Sequence, residues 1–497
     1  MESAVEFGAL NYAILIGYLM LMFGIGLAFA GRQKSTEDYF LAGRNMPWLV
    51  VAMSMFASVT SASSYIGLPG SAYSENSSLL MVGFASVLAA PVLVCLFFPF
   101  YRRLNVTTSY EYIGQRFGRS ARFTTSGLFV LARLGWLGVV IYSPSLVISE
   151  VAGLNLYLAI VLMGILAVSY TSLGGLSAVL WTDVLQFIVL VGGAVWVAVT
   201  LIVNVPNGFS GIIQTAQQND HLMNWDVSLF EMSATVVLAS YFVILIQEYG
   251  TDQVSVQRLM AVKTYRGMVR AALLNSFFDL LIVTLLLFLG IGMFAYYTHF
   301  QDLLATGVEG DRVLPFYIVH ALPNGISGLL ITALFAAAMS SMDSGINSLA
   351  TVIVTDFIKP LRRKPSTPRN DIRLARYLTF SLGALAIGVA CYASTIGQVL
   401  KASQTFLGLF SGPVLALFML GVLSRRANFR GWCVGTVPAI VATIYVQRIG
   451  IHWTYYFPFC FAVSFVVGYL ASALISDPHG RTELTIWGEP GSREVES

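Results

Sequence analysis

Ser340-Ser341-Met342-Asp343-Ser344-Gly345-Ile346-Asn347-Ser348 is a run of small polar residues, with one acid, inside a segment from about 326 to 357 that is otherwise apolar. A segment of that length and apolarity predicts a membrane-spanning helix. Polar and ionisable groups at membrane depth are costly, so they face a cavity, an ion or a partner. On a helix, positions 340, 344 and 347 share one face, and 341, 344 and 348 nearly do. The run therefore predicts a stripe of hydroxyl oxygens beside Asp343 at the middle of a bilayer. Oxygen ligands suit a small, hard cation. The first hypothesis is a sodium site inside a transporter.

Composition sets the class. The chain is 57% hydrophobic and only 11% charged, where soluble domains run near a quarter charged. Apolar runs long enough to cross a bilayer predict thirteen helices near 8–30, 47–73, 79–100, 124–150, 155–172, 177–204, 233–253, 271–298, 325–357, 374–397, 400–423, 431–447 and 454–475. With the N-terminus outside, this count places nearly all of the 28 Lys and Arg residues on the inner side. The exceptions are Arg312, Lys401 and Arg448 outside, and Arg133 within a helix. That is the positive-inside pattern, and it predicts a multi-pass protein of the plasma (inner) membrane with a cytoplasmic C-terminal tail over 477–497. The N-terminus opens Met-Glu-Ser-Ala-Val-Glu, with no positive n-region, so the first apolar run reads as a retained helix. The lipid bilayer is the expected surround. The short, membrane-flanked basic loops exclude nucleic acid as a partner.

Enzyme chemistry finds no foothold. Cys95, Cys391, Cys433 and Cys460 stand singly in apolar segments, so neither a disulfide framework nor a cysteine metal site is expected. His221, His299, His320 and His452 fall on the outer side and His479 in the tail, which leaves no histidine relay at mid-membrane. The HExxH, Walker and GxSxG patterns are absent. No organic cofactor is expected.

Two helices read as broken. The 47–73 span has a Ser/Thr-rich middle, Phe56 to Tyr65, and Gly67-Leu68-Pro69-Gly70 near its outer end. The 233–253 span ends in the polar run Gln247-Glu248-Tyr249-Gly250-Thr251-Asp252-Gln253. They open two five-helix halves, 47–204 and 233–423. Interrupted helices at matching positions of two halves point to a transporter's binding site. An unwound turn frees backbone carbonyls, which are sodium ligands. Asp183, one and a half turns into its span, is read as a cation ligand, an inner gate or a solvated carboxylate. Arg133 is expected to snorkel or to pair with an acid such as Asp279. Glu150 is expected to be solvated, and 359–376 to form a hinge loop.

Five segments together resemble the sodium/solute symporter family, which includes sodium/glucose, sodium/proline, sodium/iodide and bacterial sialic acid symporters. They are Asp38-Tyr39-Phe40-Leu41-Ala42-Gly43-Arg44, Gly174 through Asp183, Thr251 through Arg258, the Ser340–Ser348 run, and Gly412-Pro413 through Arg426-Ala427. The resemblance covers roughly 10–475. It implies an all-α membrane protein with the leucine-transporter-like fold. That is one transporter domain over 1–476, with five plus five inverted helices and peripheral helices at about 8–30, 431–447 and 454–475.

The resemblance also implies residues. The shared sodium would take backbone oxygens of Ala57, Thr60 and Ala337 and the hydroxyls of Ser340 and Ser341. A second sodium, which some members bind, would use Asp183, Ser340, Asp343 and Ser344. Asp343 stands where the sialic acid symporter has a serine. Candidate pocket residues are Ser61, Ser64, Tyr65, Leu79, Gly83, Trp136, Tyr241 and Gln247. Trp136 falls where the sialic acid symporter has its substrate arginine, and Gly83 where it has a glutamine, so sialic acid itself is disfavoured. The expectation is a monomeric transport unit. It imports a small polar solute of the sugar or organic acid type with sodium, by alternating access. A proton in place of sodium, or an inorganic anion or amino acid as cargo, is the alternative; a sensor or channel finds no supporting module.

Overall fold

The computed structural model describes residues 8–29, 36–104, 106–362, 368–396, 399–475 and 482–487. Most of the expected tail, with His479, lies outside them, as does the middle of the expected hinge loop and the Glu150 side chain. Among the described residues the regular structure is helical, apart from one isolated β-bridge between Met46 and Val262. The main helices are α1 (Ala9–Phe29), α2 (Trp48–Val59), α3 (Ala62–Ser74), α4 (Met81–Leu96), α5 (Ser109–Phe117), α6 (Arg119–Ala152), α7 (Leu156–Asn204), α8 (Ala234–Gly250), α9 (Gln253–Met260), α10 (Tyr265–His299), α11 (Ile326–Val352), α12 (Pro368–Ala393), α13 (Val399–Leu423), α14 (Phe429–Arg448) and α15 (Tyr456–Leu474).

Nine helical segments among the described residues are long and apolar enough to span, and up to 11 if each of two bent pairs counts as one span. The other expected spans coincide with shorter apolar stretches, Ala9–Met22 and Leu156–Ile165. One boundary differs from expectation. The spans at 155–172 and 177–204 fall within a single 49-residue helix, α7. At 1.5 Å per residue it is about 74 Å long, more than two hydrocarbon thicknesses. Gly174 and Gly175 lower helix propensity by about 1 kcal/mol each without stopping the helix.

The two bent pairs are the ones the sequence singles out. α2 and α3 meet at 60°, and α8 and α9 at 50°. The first bend is at Thr60-Ser61, not at Gly67-Leu68-Pro69-Gly70, which α3 carries within its helix. Those glycines serve packing: a Cβ on Gly70 would meet the backbone of Asp311 at 2.9 Å.

α11 is the centre. Every side chain from Leu330 to Val352 is buried, as befits a helix enclosed on all sides. It packs on α7, α6, α1 and α2. The outer helices turn large apolar side chains outward, among them Val195, Trp196, Phe277, Tyr377, Val437 and Leu470. In a lipid solvent such faces carry no penalty. Ile486 N–H bonds Val422 O at 3.0 Å and Tyr112 Oη bonds Leu484 O at 3.0 Å, which docks part of the tail on α13 and α5.

Candidate ion and solute site

The break between α2 and α3 creates the first set of oxygens. In a continuous helix Ser61 N–H would bond Ala57 O; here it turns back to Val59 O at 2.9 Å. The Ala57 carbonyl thereby loses its helical donor. The Ser58 carbonyl accepts from Ser341 Oγ of α11 at 3.0 Å. Ala337 lies one turn before Ser341 on the same buried helix. Ala57, Thr60, Ala337 and Ser341 thus belong to the facing walls of one crossing, α2/α3 against α11. Neutral oxygens held at a fixed break fit a small monovalent cation. Ser340, expected in this set, turns elsewhere.

The second set forms around Asp183 of α7, which is fully buried. Ser340 Oγ donates to its Oδ1 at 2.5 Å, and Ser54 Oγ donates to its Oδ2. Arg258 completes the set. Its Nη2 donates to Asp183 Oδ2 at 3.2 Å and to Ser344 Oγ, its Nε to Ser54 Oγ at 2.9 Å, and its Nη1 to Val254 O at 3.0 Å. Asp343 is buried on the same stretch of α11. The sequence places Arg258 in an inner basic loop; the structure corrects this. Asp252 caps α9 by accepting Val254 N–H at 2.9 Å, and the bend there aims α9 at α2 and α11. The stripe continues toward the C-terminal end of α11, with Ser348 Oγ donating to Gln257 Oε1 at 3.1 Å. The hydroxyl stripe of α11 thus meets side chains of α9, α7 and α2. Asp183 is neither solvated nor alone.

A cavity of about 110 Å³ lies beside the first set. Five of the eight expected pocket residues line it: Ser61, Ser64, Trp136, Tyr241 and Gln247. The other three do not. Tyr65 is fully buried and its hydroxyl is 3.3 Å from Leu190 O. Leu79 is buried in the core. Gly83 permits close approach, since a Cβ there would meet Leu280 Cα at 2.8 Å.

The sequence reading missed the charged part of the lining. Arg133, Glu248 and Asp279 all face this cavity. Arg133 does not pair with Asp279. It pairs with Asp252 and lies 4.4 Å over the Trp136 ring. Asp279 Oδ2 instead accepts from Ser86 Oγ and Tyr249 Oη, each at 2.6 Å, and from Asn275 Nδ2 at 3.3 Å. The polar run at the end of α8 was the available signal, because Glu248 sits in it.

Residues 39–438 match the model of the sodium:solute symporter family. The chain is 30% identical over 481 residues to the sodium/sialic acid symporter NanT of Aliivibrio fischeri, covering 96% of this chain and 95% of that protein. It is 32% identical to the human sodium/iodide cotransporter, over 88% of this chain and 70% of that one. Among solved structures, it is similar to a Na+-coupled sialic acid symporter in a substrate-bound outward-open state. There the TM-score is 0.88 at 29% identity, over 95% of this chain and 99% of that chain. Mhp1, a nucleobase-cation-symport transporter, shares the fold at a TM-score of 0.55.

Proposed function

Because the chain belongs to the sodium:solute symporter family, we propose that it draws a small polar organic solute inward on the sodium gradient, with sodium at the α2/α3 break and solute in the adjoining cavity. Sodium-coupled symport is the activity of its relatives by name. The observation that carries the placement is the Ala57 carbonyl stripped of its helical donor, across from Ser341. A sodium ion there ties α2 and α3 to α11 and fixes Ser61 and Ser64 in the cavity wall. Solute then binds an ordered wall rather than a loose one, which is how the ion raises solute affinity.

The two halves, 47–204 and 233–423, move relative to one another in this reading, with the bends at Thr60 and Thr251 as pivots. The N-terminus is outside, the C-terminus is cytoplasmic, and the chain transports without catalysis. One sodium moves per cycle, because the Arg258 guanidinium supplies the positive charge that a second sodium would bring to Asp183. The monomer is the transport unit.

The test is thermal stability of the purified protein with sodium or potassium as sole cation, since a ligand that binds only the folded state stabilises it. Sodium alone should raise the midpoint. Ser341→Ala should weaken that response about tenfold, the equivalent of ~1.4 kcal/mol. Equal effects of sodium and potassium would remove the site.

A further inference from the structure

The cavity holds more negative charge than its own residues neutralise. Among the described residues Arg133 is the one cation in its lining; it pairs with Asp252 and its charge also reaches Glu248, so one arginine faces three acids. Glu248 and Asp279 remain. All the donors to Asp279 converge on Oδ2, which leaves Oδ1 available. Among the described residues, no hydrogen bond or ion pair reaches the Glu248 carboxylate. A second, independent sign is Gln404. It lines the same cavity, is 7% exposed, and its Oε1 is an acceptor without a donor.

At membrane depth an acid without compensation takes up a proton or meets a cation. The surroundings favour a cation with organic bulk. Trp136, Tyr241 and Phe457 supply aromatic and apolar wall, and aromatic faces attract ammonium groups. The sodium oxygens lie at the α2/α3 break, so the inorganic ion has its own neutral ligands.

We infer that the solute carries a protonated amine or quaternary ammonium group, which sits between Glu248 and Asp279 with the Gln404 carbonyl as a further acceptor. This rests on the symport reading above and names the solute class of the same cavity. Ser61, Ser64 and Gln247 remain for hydroxyl or carbonyl groups at the solute's other end. A purely anionic solute meets two carboxylates and an arginine already neutralised.

The experiment uses two size-matched charge series on the full-length protein: ethanolamine, ethylene glycol and glycolate, and glucosamine, glucose and glucuronate. Each is added in sodium, and the unfolding midpoint is read. The amine of at least one series should add to sodium's effect, and its neutral and anionic partners should not. Glu248→Gln should keep the sodium response and weaken the amine response about tenfold or more. Asp279→Asn, a second variant, should do the same if Glu248→Gln fails to fold. The proposal falls if a neutral or anionic member does as well as the amine, if no amine adds to sodium, or if the variants retain the amine response. It also falls if lowering the pH in sodium reproduces the amine's effect, because Glu248 then carries a proton instead. Loss of the sodium-over-potassium difference would instead sink the symport reading, and is measured before any amine is added.

Discussion

Arg258 is the residue whose placement changes the reading of ion number. It is fully buried and gives four hydrogen bonds, to Asp183, Ser344, Ser54 and Val254 O. A buried ion pair is weak evidence for stability, but removing one partner leaves an uncompensated charge and costs about 3–5 kcal/mol. Arg258→Met should therefore lower stability by that order in potassium. Sodium should restore part of it, with a Hill coefficient rising from one toward two as the freed Asp183, Ser340 and Ser344 take an ion. Arg258→Met combined with Asp183→Asn should recover stability without the second sodium. A Hill coefficient of one in Arg258→Met would show that Asp183 cannot hold sodium.

Helix breaks do the positioning at the next scale. The α2/α3 bend exposes Ala57 O, and the α8/α9 bend carries Arg258 and Gln257 into the bundle. The two bent elements meet at α11, whose hydroxyls accept and donate to both. Close approach matters equally. Gly83 on α4 sits against Leu280 of α10. Gly83→Ala gains about 1 kcal/mol of helix propensity, yet the added methyl meets a backbone Cα that must shift, at about 1–3 kcal/mol. The expected result is a lower melting temperature with an unchanged ranking of solutes. A changed ranking would return Gly83 to the cavity wall. The sequence reading put Gly83 in the pocket because it falls where the sialic acid symporter has a glutamine, and that match does not reveal which neighbour each face meets.

For the whole molecule, ion number sets how steep an uptake can be. At 100 mV and a tenfold sodium gradient, one sodium supplies about 3.7 kcal/mol. A neutral solute could then be concentrated several hundredfold. A singly charged amine is itself drawn in by the potential, which raises the total to about 6 kcal/mol. Reversal-potential measurements in vesicles should give two charges per solute for an amine with one sodium. One charge per solute would exclude the pair.

Class, membrane placement and the locations of both broken helices were legible in the letters. Apolar run length and polar interruptions are local properties, and the bilayer makes them decisive, because unsatisfied polar groups in lipid cost too much to be accidental. The polar runs that hold Thr60, Gln247 and Ser341 stood out for that reason; their roles, and the choice of Trp136, came from the family resemblance. The pairings were not legible. Arg133 meets Asp252 and not Asp279; Asp183 meets Arg258, 75 residues away. Both arginine partnerships depend on where the bend at Thr251 sends Asp252 and α9, which packs against α2 and α11. The tertiary structure alone thus decided which acids pair with an arginine, and so left Glu248 and Asp279 as the acids that line the cavity outside those pairs.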